Sequence, residues 1–132
     1  MSRENVATVE AAFQAMERGG LDSLAEYWAD DIDYRAAEGA LDDRGPMHGK
    51  EAVRAYGQEW LAMFDEFKIE PVELIDAGED KVIAVLRNSG RAKLSGVETD
   101  VTYAVVYTIR DGKIARGREY LTRAEALEAA GA

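Results

Sequence analysis

The chain has 132 residues and a mass of 14.5 kDa, the size of one domain, so we expect a single domain over residues 1–132. Its 16 lysines and arginines against 26 aspartates and glutamates give a net charge of −10, which repels nucleic acid and anionic membranes. With no cysteine and one histidine, the sequence offers neither a thiolate site nor a multi-histidine metal site.

Targeting segments and cofactor motifs are both missing from the sequence. The N-terminal residues carry charge and lack the apolar core of a signal peptide, and no apolar run approaches the ~20 residues that span a bilayer. Neither a Gly-x-Gly-x-x-Gly fingerprint nor a phosphate-binding P-loop occurs. We therefore expect a cytoplasmic protein that needs no metal or nucleotide cofactor.

The first half of the chain is predicted to be mainly helical. Apolar residues recur there at helical spacing, which predicts helices over Asn5–Arg18, Leu21–Trp28 and Lys50–Phe64. A glycine pair follows the first helix and an aspartate pair follows the second, and both pairs end helices. A brief strand is predicted over Ile32–Ala36, before a glycine- and proline-containing loop over Glu38–Met47.

The second half is predicted to be mainly strand, over Phe67–Ile75, Lys81–Leu94, Val97–Ile109 and Ile114–Leu121. Asp111-Gly112 is the strongest hairpin signal, because both central positions of a type I′ turn need positive φ. Thr122 is a good N-cap for a closing helix over Arg123–Ala130. Long strands tend to curl, and Gly90 is a natural site for a bulge.

This order of elements predicts an α+β fold. A curved antiparallel sheet with helices packed on one face forms a cone. The mouth of a cone is a pocket that suits a small molecule.

Four segments carry a family resemblance: Leu24–Asp33 (LAEYWADDID), His48–Val53 (HGKEAV), Tyr107–Ile114 (YTIRDGKI) and Arg118–Leu121 (REYL). In these segments and in the order of its elements, nearly the whole chain resembles the SnoaL-like group of the NTF2-like superfamily. That superfamily also holds ketosteroid isomerases, scytalone dehydratase, limonene-epoxide hydrolase and polyketide cyclases. The resemblance implies the cone fold, and it implies dimers, which many members form. It says little about the reaction, because members with unrelated chemistry share these motifs.

Few of the functional residues of these relatives carry over to this sequence. The isomerases have a general-base carboxylate on the first strand; the matching position lies near Ala36, and Glu38 is the nearest acid. Their second acid would fall within Val101–Ile109, a run that contains no acid. The polyketide cyclases have an acid near the end of the last strand, where Glu119 and Thr122 are the closest positions.

Three residues are candidates for proton transfer: Glu38, His48 and Glu119. His48 is the only side chain with an unperturbed pKa near neutrality, and its alternative role is to pack at the start of the third helix. Glu38 acts as an acid or base if apolar walls enclose its loop, and is otherwise a solvated loop acid. Glu119 points either into the pocket or outward into cross-strand ion pairs, and strand alternation alone leaves both open.

The candidate ligand-binding residues are mostly aromatic: Tyr34, Trp60, Arg87, Tyr103, Tyr107 and Tyr120. A tyrosine hydroxyl or the Arg87 guanidinium can orient a ligand carbonyl, although the usual place of aromatic residues is the core. Asp42 and Asp43 are interpreted as exposed turn residues.

Two functions fit the sequence. The first is a SnoaL-like protein that binds a small, mostly apolar or aromatic molecule and acts, if it is an enzyme, as a cofactor-free acid–base isomerase, cyclase, dehydratase or epoxide hydrolase. The second is a non-catalytic small-molecule-binding or dimerisation module. Convergence of two polar groups on one cavity would favour the enzyme.

A homodimer is predicted from the strand Val101–Ile109, which carries no charge on either face. Both faces therefore need cover, and the helices cover only one of them. A second copy related by a two-fold axis is the simplest cover for the outer face. In the alternative, the C-terminal helix folds back across that face and the protein is a monomer.

Overall fold

Six strands form one sheet in the computed structural model, which describes residues 2–131: β1 (Trp28–Arg35), β2 (Met47–His48), β3 (Phe64–Asp76), β4 (Lys81–Ala92), β5 (Glu98–Arg110) and β6 (Lys113–Tyr120). Their order in the sheet is β2-β1-β6-β5-β4-β3. The predicted α+β fold with a curved sheet is confirmed, and the sheet is open. The sheet is mixed, because β1 pairs in parallel with β6 while the other neighbours are antiparallel.

Four helices accompany the sheet within residues 2–131: α1 (Ser2–Gly19), α2 (Leu21–Ala25), α3 (Lys50–Met63) and α4 (Arg123–Ala129). The first three pack on the concave face, where Val9 of α1, Leu24 of α2 and Val53 of α3 join the main apolar core. In the described part of the chain, no helix is both long and apolar enough to cross a membrane.

The main core lies between these helices and the middle strands. Val82, Ala84 and Leu86 alternate along β4 toward the helices, and each is at most 2% exposed. Val105 and Tyr107 continue the same surface on β5. The strict alternation places every second residue of these strands on the concave face.

Two helix ends differ from the sequence-based prediction. The second helix stops at Ala25, and Trp28 begins β1, where it pairs with Ile114 of β6. The third helix stops at Met63, because Phe64 has an extended backbone (φ −129°, ψ 149°) and begins β3. Trp28 and Phe64 extend the apolar stripes of their helices in sequence. Trp28 is instead buried in the main core, whereas Phe64 is half-buried and stacks on Trp60 and Phe67.

The turn and cap signals are confirmed. Asp111 and Gly112 have φ values of 52° and 74°, as a type I′ turn requires. The Thr122 hydroxyl accepts a hydrogen bond from the Glu125 amide at 3.1 Å at the start of α4. Gly90 lies opposite a register irregularity in β3, so the bulge is on the neighbouring strand.

The convex face of the sheet is partly covered by α4. Ile83, Ala104 and Val106 form a second apolar cluster with Ala126 of α4, and all four are at most 7% exposed. The middle of β5, from Ala104 to Tyr107, is therefore buried on both faces, whereas Thr102 nearer its start stays exposed on the convex side. This cover by α4 matches part of the alternative stated above, in which the C-terminal helix folds back across the convex face.

Trp60 of α3 provides a test of this packing. Its ring stacks on Phe64 at 5.6 Å and on Phe67 at 6.2 Å between centroids, although part of the side chain stays exposed. We expect Trp60→Ala to lower the free energy of unfolding by about 2–3 kcal/mol, somewhat less than the loss of a fully buried tryptophan. Chemical denaturation measures this change. The control is Leu41→Ala, since Leu41 is fully exposed; equal effects from the two variants would contradict the packing role.

Candidate functional site

A cavity of about 240 Å³ lies between the concave face of the sheet and the helices. Its walls are mostly apolar and include eight aromatic side chains: Phe13, Trp28, Tyr34, Tyr56, Trp60, Phe67, Tyr103 and Tyr107. The volume is near the lower end of the usual range for ligand pockets. Such a space suits a compact ring-bearing molecule.

Glu119 of β6 points into this cavity. It pairs across the sheet with Val105, whose side chain belongs to the main core, and so shares the concave face. The Tyr34 hydroxyl donates a hydrogen bond to Glu119 Oε2 at 2.5 Å. A carboxyl group on the core side of a central strand is thus held by a phenol from the neighbouring strand β1.

The cavity changes the proton affinity of Glu119. Burial among apolar walls disfavours the charged form and raises the pKa of Glu119 to about 7. The hydrogen bond from Tyr34 lowers this pKa, and the charge of Asp42 raises it. Burial, together with the charge of Glu119, raises the pKa of Tyr34 well above its ordinary value, so the Tyr34 phenol stays protonated.

Gly117 makes room for the Tyr34 ring. Gly117 is paired with Tyr34 on one side and with Tyr107 on the other. A Cβ atom at Gly117 would lie 2.4 Å from two carbons of the Tyr34 ring, a distance that real Cβ contacts do not reach. The missing side chain therefore permits the Tyr34–Glu119 contact.

A second tyrosine–carboxylate pair lies beside the first. The Tyr56 hydroxyl of α3 donates a hydrogen bond to an oxygen of Asp42, which also lines the cavity. The rings of Tyr34 and Tyr56 have centroids 6.3 Å apart. The interpretation of Asp42 as an exposed turn residue is wrong, because its loop folds against α3 and turns the carboxylate toward the cavity.

The loop after β1 is fixed by Asp43. Its carboxylate accepts two hydrogen bonds from Arg35, both at 3.0 Å, and one each from the amides of Gly39 and Gly45. These bonds, the one to Arg35 foremost, hold the pKa of Asp43 well below its usual range. Asp43 is therefore a structural anchor, and the anchored loop positions Asp42 at the cavity.

Three of the residues predicted for the site do not reach the cavity. Glu38 has a side chain that is 80% exposed and pairs with Arg35 at 3.1 Å. His48 is 74% exposed on the short strand β2 and lies 3.9 Å from Asp33. Arg87 points to the convex face, where its guanidinium pairs with Asp100 at 2.6 Å. Successive residues of a strand point to opposite faces of the sheet. Because Leu86 and Asn88 line the cavity, Arg87 between them points away from it.

Five of the other predicted residues line the cavity: Tyr34, Trp60, Tyr103, Tyr107 and Glu119. Tyr120 lies only at the cavity edge, because it pairs with Ala104 and its side chain packs against the convex cluster. The lining residues that were not predicted for the site include three with polar side chains, Asp42, Tyr56 and Asn88. The Asn88 Oδ1 atom is buried and has no hydrogen-bond partner among residues 2–131. Strand parity is the signal that could have found Asn88, because it pairs with Val101 on the same face as Tyr103. Across the described residues, no group of three or more acidic or histidine side chains is placed to hold a metal ion.

The raised pKa of Glu119 predicts a pH-dependent stability. A carboxyl group whose folded pKa is about 7 instead of 4.5 stabilises the fold fully below about pH 4.5, and this contribution is lost as the pH rises through 7. The loss is on the order of 3 kcal/mol. Glu119→Gln cannot ionise, so its free energy of unfolding should fall less than that of the wild type between about pH 4.5 and 8. Parallel curves for the two proteins would show that Glu119 titrates normally.

Solved structures share this fold across nearly their whole length. An NTF2-like protein from Burkholderia xenovorans LB400 is 26% identical and superposes with a TM-score of 0.72, over 98% of this chain and 97% of that one. RV0760c from Mycobacterium tuberculosis, solved with estradiol-17beta-hemisuccinate, is 17% identical, with a TM-score of 0.75 over 92% and 95%. TerC, co-crystallised with polyporic acid, is 16% identical, with a TM-score of 0.75 over 98% and 99%. The last two likenesses show the fold alone.

Sequence comparison gives the family. No curated protein matches the sequence. The family model of the SnoaL-like domain matches residues 9–117, most of the chain and every strand except the end of β6. With this match and the NTF2-like architecture of the solved relatives, the chain belongs to the SnoaL-like domain family of the NTF2-like superfamily.

Proposed function

We propose that this protein binds a small, mostly apolar or aromatic molecule in its cavity and transfers a proton to or from that molecule through Glu119. The chemistry is cofactor-free and of the isomerase, cyclase, dehydratase or epoxide hydrolase type. The observation that carries the proposal is a carboxyl group with a pKa of about 7 among apolar and aromatic walls. A general acid or base is most effective when its pKa lies near the working pH.

Glu119 and Tyr34 have different roles in this proposal. The Tyr34 hydroxyl donates its hydrogen bond to Oε2 of Glu119. The other oxygen, Oε1, can therefore accept a proton from a bound molecule or deliver one to it. Tyr34 is a positioning residue, because its hydrogen bond fixes the carboxyl plane. Its own raised pKa keeps it a donor throughout the cycle.

The tyrosines of β5 supply the orienting donors. Burial raises the pKa of both Tyr103 and Tyr107, with the charge of Glu119 as the next cause, so their phenols stay protonated. A protonated phenol in an apolar wall can donate a hydrogen bond to a ligand carbonyl. Such a bond would stabilise the negative charge that develops on the carbonyl oxygen when Glu119 removes a neighbouring proton.

The ligands of two solved relatives support the proposal that the ligand contains a ring. RV0760c was solved with estradiol-17beta-hemisuccinate and TerC with polyporic acid, which are both ring-bearing molecules. We propose a ring-bearing ligand here as well, because the aromatic walls offer flat surfaces to stack on. The cavity of about 240 Å³ favours a small member of this class.

An enzyme is favoured over a purely binding module by the convergence of Glu119 and Asp42 on one cavity. A binding module needs no carboxyl group in its apolar wall, since an unpaired buried acid disfavours folding. A non-catalytic binding module is the second candidate, because the apolar walls would also hold a molecule that does not react.

Hydrogen–deuterium exchange on a model ketone tests the proposal. We expect the protein to accelerate exchange of the α-protons of 2-tetralone in D₂O, measured by NMR, by about 10²-fold or more over buffer. Glu119 acts as the base, so the rate should rise with pH and level off above about 7, where the carboxyl group is ionised. Glu119→Gln should abolish the acceleration.

The control for this experiment is Glu128→Gln. Glu128 lies exposed on α4, on the convex side, so its loss changes the net charge equally but leaves the cavity intact. Tetralone binding, followed by tryptophan fluorescence, separates the two candidates. Binding without exchange would favour the non-catalytic module, and neither binding nor exchange would contradict both.

The homodimer predicted from the sequence is proposed only for the part of the convex face that α4 leaves exposed. Thr102 lies there beside Arg87, and the NTF2-like resemblance supports association through this face. We expect sedimentation at micromolar concentration to give twice the 14.5 kDa of the chain. Thr102→Arg should then give monomers without unfolding, because Thr102 is exposed. A wild-type mass near 14.5 kDa would contradict the dimer.

A further inference from the structure

We infer that the cavity takes an organic cation, in which a tertiary or quaternary ammonium group on a small ring-bearing molecule lies between Asp42, Glu119 and the aromatic rings around them. The inference rests on the proposed function, because it names the ligand class of the same cavity. The inference specifies that the ligand carries a positive charge, whereas the proposed function leaves the charge of the ligand open.

The charge of the cavity wall is the first observation. Asp42 and Glu119 are the acids among the lining residues described, and no lysine, arginine or histidine lines the cavity with them. Within residues 2–131, neither acid has a cationic partner within 4 Å, and each is instead bound by a tyrosine hydroxyl. Asp43, the neighbour of Asp42, is fully paired with Arg35. The cavity therefore holds two carboxyl groups that no protein cation neutralises by direct contact.

One cationic group, Arg44, lies outside the cavity wall. Arg44 lies over the ring of Tyr56, with its guanidinium carbon 5.3 Å from the ring centroid, and forms an ion pair with Glu59 at 2.8 Å. It influences Asp42 only at longer range. The space between the two acids is left for a charge that comes with the ligand.

Mutual repulsion gives the ligand cation its advantage. Repulsion from the charge of Asp42 is one cause of the raised pKa of Glu119. An ammonium group between them would offset this repulsion. An anionic ligand would add a third negative charge at the same place.

The aromatic walls are the second observation. An ammonium group is attracted to the face of a tyrosine or tryptophan ring, most strongly where water is excluded. Tyr34 and Tyr56, the partners of the two acids, have ring centroids 6.3 Å apart. Trp28 and Trp60 line the same cavity. Aromatic faces and carboxylates thus surround one space, a combination that recognises alkylated ammonium groups.

A pair of isosteric probes tests the charge directly. Phenyltrimethylammonium and tert-butylbenzene have the same shape and differ in one atom, a charged nitrogen in place of a carbon. Trp28 and Trp60 are the two tryptophans of the chain and both line the cavity, so intrinsic fluorescence follows binding of either probe. At about pH 8 we expect the cation to bind at least tenfold more tightly than the neutral probe. Benzoate, an anion of similar size, should bind more weakly than both.

The pH dependence provides a second readout. Tyr34, Asp42, Tyr56, Tyr103 and Tyr107 face or influence Glu119 from the surrounding elements. The pKa of each of these tyrosines is raised, so their hydroxyls stay protonated near neutrality, whereas Glu119 changes charge there. Affinity for phenyltrimethylammonium should therefore increase as the pH rises through about 7, while affinity for tert-butylbenzene should not increase.

Variants assign the effect to the two acids. Asp42→Asn and Glu119→Gln should each weaken the binding of phenyltrimethylammonium and leave the affinity for tert-butylbenzene unchanged. The affinities of the two probes should therefore become more similar. Retained tert-butylbenzene binding shows that the variant is folded with its cavity intact. Glu128→Gln removes one negative charge from exposed α4 and should leave the ratio of affinities unchanged, which excludes an effect of net charge.

The outcomes separate this inference from the proposed function. If tert-butylbenzene binds as tightly as the cation, or more tightly, the inference is overturned and the apolar cavity of the proposed function stands. If neither probe binds, both the inference and the proposed function are contradicted. A cation preference that survives Asp42→Asn and Glu119→Gln together would also overturn the inference, because the charge recognised would then lie elsewhere.

Discussion

The hydrogen bond from Tyr34 to Glu119 is the interaction on which the site depends. A carboxyl group on the core side of a sheet disfavours folding unless a donor satisfies it. The donor comes from β1, which lies beside β6 because those two strands pair in parallel. Gly117 then leaves the space in which the Tyr34 ring lies, so a single missing side chain permits an acid in an otherwise apolar wall.

The loop after β1 provides the second acid of the cavity, Asp42. Asp43 is bound by Arg35 and by two loop amides, which makes the loop rigid enough to present its neighbour Asp42 at the cavity. Leu41, on the other side of Asp42, is fully exposed, so the loop keeps no apolar contact there. The hydrogen bonds of Asp43 and the one from Tyr56 therefore position the second acid. Adjacent acids in sequence have opposite roles, since one anchors the loop and one faces the cavity.

The sequence could predict the fold because its signals are local. The turn at Asp111-Gly112, the cap at Thr122 and the helical periodicity each need only a few neighbouring residues. The orientation of Glu119 needs the register between β5 and β6, which shifts between Thr108 and Ile109. A one-residue shift exchanges the two faces of a strand, so alternation in one sequence cannot decide it. The cover provided by α4 was also underestimated, because a small residue, Ala126, makes the close contact.

The position of the acids also explains why the resemblance to the isomerases implied so little about the site. The run Val101–Ile109, where those relatives have an acid, contributes tyrosines and aliphatic side chains to the cavity wall and core here. The acids of this cavity instead stand at the end of β6 and in the loop after β1. Loops change their sequence more freely than strands without loss of the fold. An acid delivered by a loop lets the same cone acquire a different charge pattern, and the charge pattern of the wall, more than the shared architecture, selects the ligand.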